Sequence, residues 1–246
     1  MKVGEVKRSV RLDKLLSDQG IGTRSEVKEL IRKGRVKVNG ETVRRPELSV
    51  TESDTVSVDG EELRRASFEY WLLYKPAGFL TAVQDAGRPV VMELIPSKRK
   101  GLSPVGRLDL ETEGILLVTD DGLLAHRLLS PKYHVEKTYY AELASDLPAD
   151  AAERFSRPME FSDFMAAPAV SFEELEPRAA RLTIAEGKYH QVRRMFAKIG
   201  CEVVTLRRES FGFLTLEGLK PGEARSLTEK EVRQLREVCR MMEHGE

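Results

Sequence analysis

Gly106-Arg107-Leu108-Asp109-Leu110-Glu111-Thr112-Glu113-Gly114-Ile115-Leu116-Leu117-Val118-Thr119 is the stretch on which the fold turns. An Arg-Leu-Asp segment stands between a glycine turn and an apolar run. That placement aims one guanidinium and one carboxylate from the end of a strand. Ile115 to Val118 is short, continuous and β-branched at its ends, which favours a strand. Taken alone, Gly106 and Asp109 fit plain turn residues equally well. The neighbouring blocks decide between the two.

Outward from this strand, Tyr70 to Tyr74 is a strand candidate that runs into the loop signal Lys75-Pro76-Ala77-Gly78. Asp120-Asp121-Gly122 turns into a helix containing Leu124 and Leu128. Tyr139 to Leu143, Ala180 to Ala185 and Glu202 to Leu206 are further strands. Gly187 precedes a helix whose buried face is Val192, Met195, Phe196 and Ile199, ended by Gly200. Thr228-Glu229-Lys230-Glu231 has the form of a capping box and starts a C-terminal helix. Strands cluster without regular βα alternation. Residues 67–246 therefore read as an α+β domain on a mixed, mainly antiparallel sheet.

Residues 1–66 read as a separate small module. Val10 to Leu16 is expected to form a short amphipathic helix stopped near Gly20. Thr23-Arg24-Ser25-Glu26 is a second capping box, opening a helix with the core stripe Val27, Leu30 and Ile31. Arg24, Lys28 and Arg32 recur every fourth residue on another face, and Gly34 is placed to stop the helix. Val36-Lys37-Val38, Asn39-Gly40 and Glu41-Thr42-Val43 read as a tight hairpin, because Asn-Gly supplies positive φ. Residues 46–66 read as a closing strand and linker, with Glu61 to Arg65 charged.

Net charge is zero over 246 residues, and this hides an asymmetry. Residues 7–45 hold 12 Lys+Arg against 5 Asp+Glu, while the rest holds 28 against 35. A basic module on a mildly acidic body suggests a footprint for a polyanion. The 41% hydrophobic content supports one substantial core and a small second domain. No apolar run approaches a membrane span, and no signal segment is evident. Cys201 and Cys239 lie far apart and the four histidines are scattered, so no metal site is expected. The expectation is a reduced, cytoplasmic, monomeric chain with both thiols packed in apolar surroundings.

Several blocks, in order, carry a resemblance: Lys75-Pro76-x-Gly78, Gly106-Arg107-Leu108-Asp109, Thr119-Asp120-Asp121-Gly122, Lys137-Thr138-Tyr139, and Gly187 to Met195 in the form GKYHQVRRM. Together they resemble the RsuA family of ribosomal-RNA pseudouridine synthases. The string from Arg11 to Leu15 and from Gly34 to Gly40 resembles the RNA-binding domain first named from small-subunit ribosomal protein four, the S-four domain.

The resemblance implies an RNA-uridine isomerase that breaks the N1–C1′ bond, rotates the uracil and rejoins it through C5. Such an isomerisation needs no redox partner, group donor or energy input, so no cofactor is expected. It makes Asp109 the essential carboxylate, Arg193 its cationic partner and Tyr139 the active-site tyrosine. An aspartate is ionised at neutral pH, and a neighbouring guanidinium favours that state. Attack at C1′, attack on the base ring and assistance to elimination all remain open for Asp109. Arg107 matches the arginine that fills the place of the extruded base; a structural salt bridge is the other role open to it. Lys75 is expected to touch phosphate or to tether its loop. Arg24, Lys28 and Arg32 are expected on the RNA backbone. His190 and Gln191 are expected to order the site, and Tyr140 to face away from it.

The string Leu129 to Tyr139 and the Arg11-Leu12-Asp13-Lys14 start look more like the small-subunit branch, whose target is the single uridine known as position 516 of 16S RNA, expected here as part of a small-subunit assembly particle. Large-subunit (23S) RNA is the alternative within the family. A non-catalytic ribosome-assembly factor is the alternative outside it.

Overall fold

A computed structural model describes residues 9–19, 21–51, 54–63 and 68–241. The chain divides into two compact units, Met1–Ser67 and Phe68–Glu246.

In the first unit, β1 (Ser9–Arg11) leads into α1 (Leu12–Asp18), followed by α2 (Arg24–Arg32), β2 (Val36–Val38), β3 (Glu41–Val43), β4 (Ser49–Thr51), β5 (Val56–Val58) and β6 (Glu61–Glu62). The first helix starts two residues later than its amphipathic pattern suggests. Val10 pairs with Val50 across β1 and β4, and Leu12 N–H donates to Leu48 O, so a non-local pairing takes Ser9 to Arg11. Gly20 lies outside the described residues, as do 64–67 at the expected boundary. The second helix has its capping box: Thr23 N–H donates to Glu26 Oε2 at 2.7 Å, and Glu26 N–H to Thr23 Oγ1 at 3.4 Å. Gly34, at φ +73°, ends it. Asn39 and Gly40 both have positive φ in the β2–β3 hairpin. The charged stretch after Gly60 is partly strand: Glu61 and Glu62 pair with β5. Leu12, Leu16, Val27, Ile31, Val36 and Val56 form the core. Arg24 and Arg32 are exposed and Lys28 is half-buried.

The second unit contains β7 (Tyr70–Lys75), β8 (Ser103–Pro104), β9 (Thr112–Thr119), α3 (Gly122–Leu129), β10 (Lys137–Leu143), α4 (Ala151–Phe155), β11 (Met159–Glu160), β12 (Met165–Ala166), β13 (Ser171–Glu176), β14 (Ala179–Ile184), α5 (Gln191–Lys198), β15 (Val203–Phe211), β16 (Leu214–Thr215), β17 (Ala224–Ser226) and α6 (Glu229–Met241). Among the described residues its main sheet runs β13-β14-β10-β15-β9-β7-β17, with β16 on β15 and β8 on β9. The pairing is antiparallel except between β9 and β15, which run parallel. The α+β, mainly antiparallel expectation holds.

Both faces of this sheet are covered, which explains the uninterrupted apolar run in β9. Leu116 and Val118 face a core shared with α4 and α5. Ile115 and Leu117 face one shared with α3 and α6. These four side chains are essentially fully buried, and such burial stabilises by roughly 1.5–3 kcal/mol each. The loop that precedes β9 is thus mounted on a rigid central strand. Cys201 and Cys239 are buried in these two cores. No helix among the described residues is long and apolar enough to cross a membrane.

Candidate active site

The loop from Gly106 to Glu111 sits at the entry to β9 and is clamped from below. Thr81 Oγ1 accepts from Leu108 N–H at 3.2 Å and donates to Leu108 O at 2.7 Å. Gly78 N–H donates to Leu110 O at 2.9 Å. Lys75 is fully buried, and its ammonium donates to the carbonyls of Pro76, Leu110 and Thr112 at 3.0, 3.0 and 2.7 Å. Of the two roles expected of Lys75, these bonds give the tether, and the RNA-contact role is corrected. It cannot reach a phosphate, because all three ammonium donors hold backbone together. Burial still pushes its pKa down to about 8.

Above the loop lies a pocket with a cavity volume of about 90 Å³. It is lined by Arg107, Asp109, Lys137, Tyr139, Lys188, His190, Arg193 and Arg208, with an apolar floor of Leu108, Ile184, Val192 and Leu206. The loop supplies Asp109 and β10 supplies Lys137 and Tyr139, which alternation along the strand places on one face. Tyr140, between Tyr139 and the rest of β10, points away and packs under the Arg207 guanidinium at 4.8 Å.

Asp109 Oδ2 lies 3.9 Å from Arg193 Nε, and its Oδ1 lies 3.2 Å from His190 Nε2. Arg193 is itself held by a hydrogen bond that its Nη1 donates to Val203 O at 3.0 Å, and its Nη2 is buried without a hydrogen-bond partner. Three-quarters of the Arg193 side chain is covered. Arg107 is exposed at the rim and makes no ion pair among the described residues.

The helix α5 starts at Gln191, later than the position of Gly187 suggests. Residues 187–190 form a loop instead, in which His190 takes a left-handed conformation at φ +51°. Gln191 secures that loop: its Oε1 accepts from Lys188 N–H at 3.0 Å and its Nε2 donates to Glu186 Oε1 at 2.7 Å. Lys137 and Arg208 are contributors that the sequence reading did not single out. Lys137 Nζ donates to Val135 O at 2.6 Å, and burial together with the nearby Arg208 pushes its pKa down to about 8. Their signal was present: Lys137 is in phase with Tyr139 on β10. Among the described residues no group of three or more His, Cys, Asp or Glu is arranged to hold a metal.

The chain that carries this carboxylate and its cations has matches among known proteins. Residues 69–198 match the RNA pseudouridylate synthase family, and residues 10–56 match the S4 domain. The chain belongs to the RNA pseudouridylate synthase family. The synthase is 40% identical over 241 residues to ribosomal large subunit pseudouridine synthase B of Bacillus subtilis (strain 168), covering 96% of this chain and 98% of that one. It is 41% identical over 229 residues to ribosomal small subunit pseudouridine synthase A of Escherichia coli (strain K12), covering 91% and 98%. A solved pseudouridylate synthase crystal structure, 35% identical, superposes with a TM-score of 0.66 over 92% of this chain and all of that one. The chain is thus a pseudouridine synthase, with an S-four module in front of its catalytic domain.

Proposed function

We propose that the synthase isomerises a uridine of small-subunit ribosomal RNA, with Asp109 as the reacting carboxylate. One observation carries the assignment of Asp109. Among the described lining residues it is the single carboxylate in a pocket otherwise ringed by Arg107, Lys137, Lys188, Arg193 and Arg208. Those cations suit a phosphodiester substrate, and the apolar floor suits a uracil ring. Pre-placed charge around a reacting anion lowers the cost of rearranging it during reaction.

The chemistry is balanced within the substrate. The N1–C1′ bond breaks, C5–C1′ forms, the hydrogen at C5 is lost to water and N1 takes up a proton. Asp109 serves as the nucleophile, in line with covalent catalysis by carboxylates elsewhere. Arg193, 3.9 Å from its Oδ2, orients it. Tyr139, buried beside it, supplies a ring face for the uracil and a hydroxyl for proton transfer. The target base must leave its stack to reach this pocket, and the exposed Arg107 guanidinium is placed to contact the strand it leaves. The row Arg24, Lys28, Arg32 contributes backbone contacts that carry no base readout.

The small-subunit assignment is supported by the string Leu129 to Tyr139 and the relation to the Escherichia coli enzyme. The equally close relation to the Bacillus subtilis large-subunit enzyme favours 23S RNA as the second reading. Mapping pseudouridines in both RNAs, from cells with and without the gene, tests the choice. Loss of a single 16S site, in RNA still within assembly particles, is expected; loss of a 23S site replaces the small-subunit assignment.

A further inference from the structure

Tyr189 is 72% exposed, the most exposed large apolar side chain of those described. Its ring stacks on His190 with centroids 3.9 Å apart and planes at 18°. The His190 Nε2 in turn lies 3.2 Å from Asp109 Oδ1. A ladder of three groups therefore runs from solvent to the reacting carboxylate, and its outermost rung leaves one aromatic face uncovered.

The mount is stiff. His190 holds a left-handed backbone, uncommon for a residue with a side chain. Gln191 N–H donates to Lys188 O at 3.1 Å and Arg194 N–H to His190 O at 2.9 Å, closing the loop onto the first turn of α5. Lys188 Nζ pairs with Glu186 at 3.1 Å. A flat ring on a rigid base loses little freedom when something stacks on it. The surroundings are not those of an apolar protein interface: Lys188 beside it is exposed, and the pocket it borders is ringed by guanidinium and ammonium groups.

We propose that the outer face of Tyr189 is a stacking platform for the nucleobase immediately next to the target uridine, with His190 as the positioning residue that links the platform to Asp109. This rests on the RNA-uridine reading above. Extruding one base leaves its neighbour with a bare face, and an aromatic platform restores the lost stack. Stacking has no donor or acceptor code, so the platform positions the strand without selecting the base. With a base seated on it, Tyr189 is pinned against His190, and the imidazole is held against the carboxylate.

The test uses an RNA fragment from which the wild-type chain releases C5 tritium, so the underlying reading is checked before any variant is compared. 2-Aminopurine is placed on one side of the target, then on the other. Wild type is expected to quench the fluorophore at one of the two positions. Tyr189→Phe is expected to retain quenching and a KM within about twofold of wild type. Tyr189→Leu and Tyr189→Ala are expected to lose the quenching and to raise KM by roughly 5- to 150-fold, the range for a lost base stack. An exposed side chain leaves the fold intact, which a thermal melt verifies. Unchanged quenching in Tyr189→Ala, or a Leu variant that matches Phe, overturns the platform.

Discussion

A Cβ atom on Gly114 would lie 2.2 Å from the carbonyl oxygen of Arg208 and 2.6 Å from its amide nitrogen. The two residues pair across the parallel β9–β15 junction, and Gly114 has φ +114°. Both the conformation and the space exclude a side chain. Gly114→Ala should lose roughly 3–5 kcal/mol, from left-handed strain and from displacing a backbone that holds the centre of the sheet. Thermal melting should fall by about 10 °C. A melt within about 2 °C of wild type would show that the junction yields.

Asp121 ties three elements together. It caps α3 by accepting from Leu124 N–H at 3.0 Å, accepts from the Tyr70 hydroxyl at 2.9 Å and lies 3.5 Å from Arg236 of α6. Burial, then the Asp121 charge, raises the Tyr70 pKa. Asp121→Ala removes a cap and takes the acceptor from the Tyr70 hydroxyl, which keeps only the bond it receives from Arg236 at 2.8 Å, for about 2–4 kcal/mol in denaturant titration. Asp121→Asn keeps an acceptor for the cap and should lose less than half of that. Equal losses would argue that charge, not capping, matters here.

Lys75 and the row Arg24, Lys28, Arg32 separate by salt dependence. Lys75→Met removes the ammonium that joins three carbonyls and takes the donor from the buried Thr112 O, while Leu110 O keeps Gly78 N–H, so stability falls by about 2–4 kcal/mol while the salt slope of RNA binding is unchanged. Changing the row to Ala should reduce that slope by about one per lost phosphate contact and leave stability near wild type. A flattened slope in Lys75→Met would restore its phosphate role.

Lys137 gives a pH signature. Its folded pKa is about 8, while an unfolded lysine titrates near ~10.4. Below pH 8 both states are protonated and the full burial penalty applies. Between about 8 and 10.4 the folded state binds fewer protons, so stability rises with pH. Lys137→Met escapes the penalty, and its melting advantage over wild type should shrink as pH rises from 7 to 9.5. Lys75 titrates alike in both proteins and cancels in the difference. A pH-independent difference would contradict the linkage.

Local signals were legible in the sequence. Both capping boxes, the Asn39-Gly40 hairpin and the buried faces of α3 and α5 follow from residues within one or two turns of each other. Non-local pairing hid the rest. Val10 reads as helix until Val50 is beside it, and β13 carries too little apolar alternation to stand out from Ser171 to Glu176. The site shows the same division. Asp109, Tyr139 and Arg193 stand in motifs and converge on one pocket. A lysine beside a Pro-x-Gly loop reads as a phosphate contact or a loop tether, and only the distant carbonyls of Leu110 and Thr112 decide for the tether. The grip of Thr81 on Leu108 has no sequence signature at all.

The central claim concerns the Asp109 carboxylate. Asp109→Asn keeps the shape, removes the charge and leaves Arg193 without its anion. It should fold, bind RNA within a few-fold of wild type and lose turnover by several orders of magnitude. Tyr139→Phe should be slowed as well, by less. Because rejoining through C5 expels the hydrogen there, RNA tritiated at C5 of uridine reports each turnover. Wild type should release one equivalent of label per target uridine to water, and Asp109→Asn essentially none. Near-normal release by Asp109→Asn would contradict the account.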